Sequence, residues 1–266
     1  MNNHEVDYRI IGEEMQCVEI ELDPQEAVVA EPGSLMHMNA DIEMSTIFGD
    51  GSNQEKGIMG KLFSAGKRVL TGENLFMTVY TNRGHTKSHC TFASPYPGKI
   101  MRLDLSELGG KIICQKDAFL CAAKGVSVDI AFQKRLGVGF FGGEGFIMQR
   151  LEGDGMAFVH AGGTIVEKEL KPGEKLRVDT GCLAAMTQDV DYNIERIGGI
   201  RNTFFGGEGV FLVSLTGPGK VWIQSLPFSR LAERIIASAP KMGGKDKGEG
   251  SVLGGLGSII SGDRNF

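Results

Sequence analysis

Several common functional readings are excluded by what this chain lacks. No stretch approaches the roughly 18 consecutive apolar residues that a membrane-spanning helix needs. The opening "MNNHEVDYRI" has neither a basic segment nor an apolar one, so no secretory signal is expected. Five cysteines (Cys17, Cys90, Cys114, Cys121 and Cys182) are scattered, odd in number and never in CxxC spacing. That usage argues for reduced thiols in a cytoplasmic setting rather than a disulfide frame. Cys114, Cys121 and Cys182 fall within apolar runs and are expected to be inert core thiols. No Gly-x-Ser-x-Gly elbow is present, and no Ser/His/Asp set stands out. Tryptophan occurs once, at Trp222, and Lys and Arg are dispersed among acids. With a formal charge of −5 and a pI of 5.6, the chain has no positive field to draw phosphate backbones, and nucleic acid is not expected as a partner.

Histidine is sparse as well. A cupin-type metal site needs a His-x-His pair, which the lone His37 of "HMN" does not supply. In "HTKSHC", His85 and His89 would share a strand face but stand about 13 Å apart, too far for one metal. No metal and no cofactor is therefore expected.

Glycine is abundant, with 39 in 266 residues and no Gly-X-Y period to suggest collagen. Apolar residues make up 41% and charged residues 23%, enough for a globular core. Many glycines with few helical patterns point to frequent tight turns and an all-β chain.

Internal repetition organises the rest. "FFGGEGF" (140–146) returns as "FFGGEGV" (204–210), and Glu144 and Glu208 find a counterpart in Glu73 of "TGENLF". Each Glu is followed 11 residues later by a glycine, Gly84, Gly155 or Gly219, after an apolar or β-branched run and a turn cluster. A second strand-like run then follows: "HTKSHCTF", "MAFVHAGG" or "KVWIQSLP". Each copy reads as a β-hairpin introduced by a Gly-Glu turn.

A second element repeats too. "LDPQEAVVAEPGSLMHM" (22–38) aligns without gaps on "LKPGEKLRVDTGCLAAM" (170–186), with six of 17 positions identical and Glu31 facing Asp179. A weaker middle copy, "KIICQKDAFLCAA" (111–123), aligns Leu120 with Leu35 and Leu183. These read as strand, turn, strand. The later two units share one length, and the first is longer through the polar, Gly-rich "IFGDGSNQEKGIMG" (47–60). A lone unit of about 60 residues buries only about 60% of its unfolded surface. Three units sharing apolar faces are therefore expected to form one body over residues 1–240, with repeats at about 5–96, 97–165 and 166–228 and pseudo-threefold character.

Residues 229–239 ("SRLAERIIASA") place Leu231, Ala232, Ile235, Ile236 and Ala239 on one face, which predicts an amphipathic helix between Pro227 and Pro240. Residues 241–266 are expected to be a Gly-rich flexible tail.

The candidate binding residues are Glu73, Glu144 and Glu208, converging near a pseudo-threefold axis with Arg135 and Arg196. The competing reading makes the glycines positive-φ turns whose Glu carboxylates accept backbone N–H bonds or pair with Arg. Folding residues recur in every repeat, whereas active sites usually occur once, which favours the structural reading and leaves no catalytic residues assigned. "GGEG" is no P-loop, because no helix pattern follows it and no Lys-Ser/Thr closes it.

Taken together, "FFGGEG", "LKPGEKLRVDTGCLAAM" and the Gly-rich tail resemble the bacterial relatives of the altered-inheritance-of-mitochondria proteins, a family of unknown function, over roughly residues 5–258. The resemblance implies three repeats of a shortened double-stranded β-helix, similar to the tryptophan RNA-binding attenuator protein. It also implies ring-like association, a trimer among the options, and a scaffolding role at or near a membrane surface. The expectation is a non-enzymatic, cytoplasmic, oligomeric β protein that organises partners, peripheral at a membrane in one version. A small-molecule or metal-binding protein or enzyme with a cupin-like cavity is the first alternative, and RNA binding by fold analogy the second.

Overall fold

The computed structural model describes residues 5–48, 76–134, 146–196 and 211–239. Among these the chain is predominantly β, with nineteen strands, two 3-10 turns and one α-helix. Strand β1 (Asp7–Ile11) pairs with β2 (Cys17–Leu22). There follow β3 (Ala27–Ala30), β4 (Leu35–Met38), β5 (Ile42–Phe48), β6 (Phe76–Asn82) and β7 (Ser88–Ala93). Strand β7 lies between β2 and β4, and β6 lies between β3 and β5.

The next six strands are β8 (Gly98–Asp104), β9 (Lys111–Gln115), β10 (Phe119–Ala123), β11 (Ser127–Lys134), β12 (Phe146–Glu152) and β13 (Met156–Gly162). Here β13 lies between β8 and β10, and β12 between β9 and β11. The last six are β14 (Ile165–Leu170), β15 (Lys175–Asp179), β16 (Leu183–Thr187), β17 (Asp191–Arg196), β18 (Phe211–Thr216) and β19 (Gly219–Gln224). Strand β19 lies between β14 and β16, and β18 between β15 and β17. Two more antiparallel ladders, β3 with β10 and β9 with β16, join these groups into two six-stranded sheets.

Residue choice explains which strands sit centrally. β2 alternates, with Val18, Ile20 and Leu22 fully buried while Glu19 and Glu21 stay partly exposed, as a one-sided strand should. The joining strands β3 (AVVA), β10 (FLCAA) and β16 (LAAMT) are buried at every position. Alanine recurs in them because a strand covered on both faces admits only small side chains where layers come close. Three apolar clusters result. Ile20, Tyr80 and Phe92 anchor one, with the Tyr80 and Phe92 rings edge to face at 5.1 Å. Ile112, Leu151 and Val159 anchor a second, and Leu183, Val213 and Leu215 a third.

The expected hairpins are not hairpins. β6 and β7, β12 and β13, and β18 and β19 follow one another closely, yet the members of each pair lie in different sheets. Turn residues reverse the chain but do not choose the partner edge; here both faces of β12 and β13 are largely buried, and packing directs them apart. Bulge positions also correct the alignment of the middle copy. The register shifts between Leu35 and His37, between Phe119 and Cys121, and between Leu183 and Ala185. Phe119, not Leu120, therefore occupies the place of Leu35 and Leu183. The spacing from Phe119 to Leu183 is then 64 residues, equal to that from Glu144 to Glu208.

The C-terminal helix α1 spans Phe228–Ser238, one residue earlier than predicted, with the N–H groups of Arg230 and Leu231 bonded to the Pro227 carbonyl. Contacts divide the chain into Met1–Leu231 and Ala232–Phe266. None of the helix's residues is buried, and in the second unit Ile235 and Ile236 are exposed.

Candidate functional site

Of the residues singled out by the repeat, Glu73, Glu144, Glu208 and Arg135 lie outside the described residues. Arg196 ends β17 opposite Phe211. Among the described residues no group of three His, Cys, Asp or Glu is arranged to hold a metal. His85 lies in the exposed turn before β7, while His89 Nε2 is 3.1 Å from Glu21 Oε2. Cys114 and Cys121 are buried as expected, Cys90 is buried too, and Cys182 is only half-buried because it sits in the 3-10 turn before β16.

The described cavity with unsatisfied polar walls lies where the first and second strand groups meet. It measures about 310 Å³, and its lining includes Glu31, Ser34, Tyr96, Phe119, His160 and Phe228. Glu31 follows β3, and its backbone is fixed on both sides. Its N–H donates to the Leu120 carbonyl at 3.0 Å, while its own carbonyl accepts from Ser34 N–H at 3.2 Å and Ser34 Oγ at 2.7 Å. The side chain is not fixed in this way: Oε2 is buried without a hydrogen-bond partner. Burial pushes the carboxyl up to about 7; Lys116 opposes the shift and Asp117 adds to it.

His160 comes from β13, opposite Ile100 of β8, and is 2% exposed. Neither ring nitrogen completes a hydrogen bond, although the Tyr96 backbone stands close enough to favour the protonated ring. Burial outweighs that help and pulls the imidazole down to about 4, so the ring is neutral at pH 7. The Tyr96 ring meets it edge-on at 4.6 Å and 88°, and Phe228 at the start of α1 packs on Tyr96 at 5.2 Å. Burial, then Asp117, pushes the Tyr96 phenol up to about 12. Gly98 makes room for the ring: a Cβ there would stand 2.5 Å from His160 Nε2 and 2.1 Å from the Ala161 carbonyl oxygen.

An orphaned buried polar atom costs on the order of 1–3 kcal/mol. The same place in the next strand group leaves none. His160 follows Val159, which pairs with Phe119; Gln224 follows Ile223, which pairs with Leu183. Glu31 follows Ala30, which pairs with Cys121, and Gln115 follows Cys114, which pairs with Ala185. Gln224 Nε2 donates to Gln115 Oε1 and to the Gly181 carbonyl, both at 2.9 Å, and its Oε1 accepts from Gly162 N–H at 2.8 Å. A satisfied Gln–Gln contact thus holds the place where Glu31 and His160 border open space.

Two other concavities among the described residues are laced by polar contacts of their own. A groove of about 440 Å³ beside Trp222 has Trp222 Nε1 donating to Glu167 Oε2 at 2.9 Å and Lys220 paired with Glu167 at 3.1 Å. A cleft at Tyr8 and His89 is laced by Arg9–Glu19 and Lys87–Glu21 pairs. Such exposed pairs contribute about 0–1 kcal/mol each.

The profile described as "Mitochondrial biogenesis AIM24" matches residues 8–226. The chain belongs to the AIM24 family. An uncharacterized protein of Streptococcus pyogenes serotype M6 is similar to this AIM24 member at 30% identity over 227 residues, covering 84% of this chain and 86% of the relative. The X-ray crystal structure of a protein from Streptococcus pyogenes superposes with a TM-score of 0.68 at 22% identity, covering 88% of this chain and all of the other, a likeness of fold.

Chemically the AIM24 cavity can hold, donate and accept protons. At neutral pH a carboxyl near 7 exists in both forms, the neutral imidazole offers one donor and one acceptor, and Tyr96 adds an aromatic wall. The nearby Cys114 thiol is pushed up to about 12 by burial, then by Glu31, and does not supply a nucleophile at neutral pH. The site was partly visible in the sequence. Glu31 faces Asp179 in the ungapped alignment, and "MAFVHAGG" and "KVWIQSLP" place His160 and Gln224 as polar intrusions at matching positions. A search for His pairs passes over His160 because the titratable group that lines the same cavity is a carboxylate from another strand group.

Proposed function

We propose that this chain is a non-enzymatic binding protein that takes a small molecule in the cavity bordered by Glu31 and His160. The body is read as three copies of one six-strand module, a shortened double-stranded β-helix with pseudo-threefold character. What supports the module reading is the order of the ladders: with β1 set aside and the first group counted from β2, in each group the first and third strands flank the sixth, while the second and fourth flank the fifth. The observation that carries the binding reading is the unsatisfied Glu31 Oε2 and His160 ring, set against the completed Gln115–Gln224 contact. A chain built by copying has one junction closed with amides and another left open around a cavity within the size range of ligand sites, about 300–1,000 Å³.

The test is native mass spectrometry of gently purified protein, followed by thermal-shift screening of a metabolite panel on wild type and Phe228→Ala. Retained mass or a shift that Phe228→Ala abolishes is the expected result. Ligand-free protein that no compound stabilises would remove the reading.

A second reading, association between copies, has its own observation. β4 and β15 end their sheets, whereas the corresponding β10 and β16, and β3 and β9, are joined in ladders. Open strand edges invite pairing with another chain. Native mass spectrometry at micromolar concentration reports this directly, and a monomer throughout would exclude it.

A further inference from the structure

The acidic or amide side chain at the end of the second strand of each group meets a different partner in each copy, and the pattern reveals what the open one lacks. Gln115, neutral, accepts the neutral amide N–H of Gln224 at 2.9 Å. Asp179, which Glu31 matches in the ungapped alignment, accepts Gly181 N–H at 2.9 Å and pairs with the guanidinium of Arg230 at 3.3 Å. Glu31 has no such partner for Oε2 and borders the cavity. We infer that the Glu31 cavity takes a small organic cation, an ammonium group on an apolar or aromatic body, which pairs with the Glu31 carboxylate as Arg230 pairs with Asp179. This rests on the reading that the cavity binds a small molecule, and it names the class.

The walls suit that class. Tyr96, Phe119 and Phe228 surround the space with aromatic surface, which attracts cations through the ring faces and buries an apolar body. Asp117, from the 3-10 turn after β9, also lines the cavity and adds negative potential. Lys116 on the same turn acts in the other direction on Glu31. His160 of β13 and Tyr96 of the β7–β8 link face the same space uncharged at neutral pH, and Cys114 of β9 is a neutral thiol. Neither ring repels an ammonium group, and the imidazole's free acceptor can take a second N–H. An anion would meet Glu31 and Asp117 with no opposing arginine among the residues lining the cavity.

The experiment uses three probes of similar shape, phenethylamine, phenylacetamide and phenylacetate, titrated calorimetrically into the full chain. Wild type, Glu31→Gln and His160→Leu are compared at pH 8 and pH 6. The expected result is heat from phenethylamine alone, with affinity about thirtyfold or more weaker in Glu31→Gln, as for removal of one member of a buried charge pair. Because only the ionised carboxylate pairs with an amine that stays protonated at both pH values, wild-type affinity should also fall about tenfold from pH 8 to pH 6. Equal binding of the amine to wild type and Glu31→Gln overturns the inference. Tighter binding of the amide or carboxylate, abolished by His160→Leu, overturns the class while leaving the cavity as a ligand site. Silence from all three probes at millimolar concentration overturns the inference, and the metabolite panel above then decides the cavity separately.

Discussion

Replacing Glu31 by Gln should stabilise this protein at pH 8 and leave it nearly unchanged at pH 4.5. Burial raises the carboxyl from its ordinary 4.5 to about 7. The folded state therefore retains a proton across that window while the unfolded state has released it. Stability from this group is full below 4.5, declines as pH rises, and reaches its full deficit above 7. Each pH unit of displacement corresponds to 1.36 kcal/mol, so the deficit is on the order of 3 kcal/mol. Glutamine does not ionise and has a precedent in Gln115, whose amide is satisfied at the corresponding place. For a chain of this size a gain of that order raises Tm by roughly 6–12 °C. His160 slopes the other way: its pKa falls from 6.5 to about 4, so its contribution is complete above 6.5 and is lost as pH drops through 4. The two slopes largely cancel in wild type between about pH 4.5 and 6.5, which is why the difference between variant and wild type is the informative quantity. Urea denaturation followed by far-UV circular dichroism at pH 4.5, 6 and 8 measures it. A Gln variant whose advantage is the same at every pH, or which is less stable than wild type at pH 8, would refute the assignment of Glu31 as a desolvated carboxyl.

Three further outcomes follow from the packing. Asn82 is fully buried, with Nδ2 donating to the carbonyls of Leu22 and Thr86 and Oδ1 accepting from Gly84 N–H. Asn82→Ala strands these groups and should cost about 2–4 kcal/mol in urea unfolding, and a loss under 0.5 kcal/mol would contradict the network (~1 kcal/mol or more per orphaned group). Gly98→Ala forces a methyl against the Ala161 carbonyl and the His160 ring, and should lower Tm by several degrees and blur the His160 ring resonances in NMR spectra; an unperturbed spectrum would count against the close approach. Burial pushes the Cys90 and Cys114 thiols up to about 12 and raises the Cys121 thiol well above its ordinary value. Ellman's reagent at pH 8 should therefore label Cys17 and Cys182 first, and early labelling of Cys114 would show that the joining strands open readily.

The fold class was legible because glycine-rich turns and β-branched runs are local signals. The segment at β9 reads as the strand entering a turn, and α1 announces itself by its stripe from Leu231 to Ala239. Strand pairing was not legible. β13 reads "MAFVHAG" and is buried at six of seven positions, so its pattern does not reveal which edge or face meets which neighbour. The turn before it predicts reversal, and a hairpin is the simplest completion; the actual partners, β8 and β10, are chosen by packing on both faces. The one-residue error at Leu120 has a related cause. A bulge inserts a residue without leaving a compositional mark, and only the ladder from Phe119 to Val159 locates it.

The candidate site follows from the same non-locality. A copied module tends to reproduce its folding residues, so the eye is drawn to letters that recur, such as "GGEG". On the proposed reading, binding capacity resides where the strand groups differ at one shared position. At this position Gln115 meets the Gln224 amide and Asp179 pairs with Arg230, so the chain supplies a partner from its own residues in both cases. Glu31 retains the acceptor, and the chain places His160, Tyr96 and a cavity beside it. Two orphaned buried groups persist in a folded protein only if the rest of the fold compensates for them, on the order of 1–3 kcal/mol each, or if something else completes their bonds. On the proposed reading a ligand that donates to Glu31 supplies that completion, and the raised carboxyl belongs to the unliganded form.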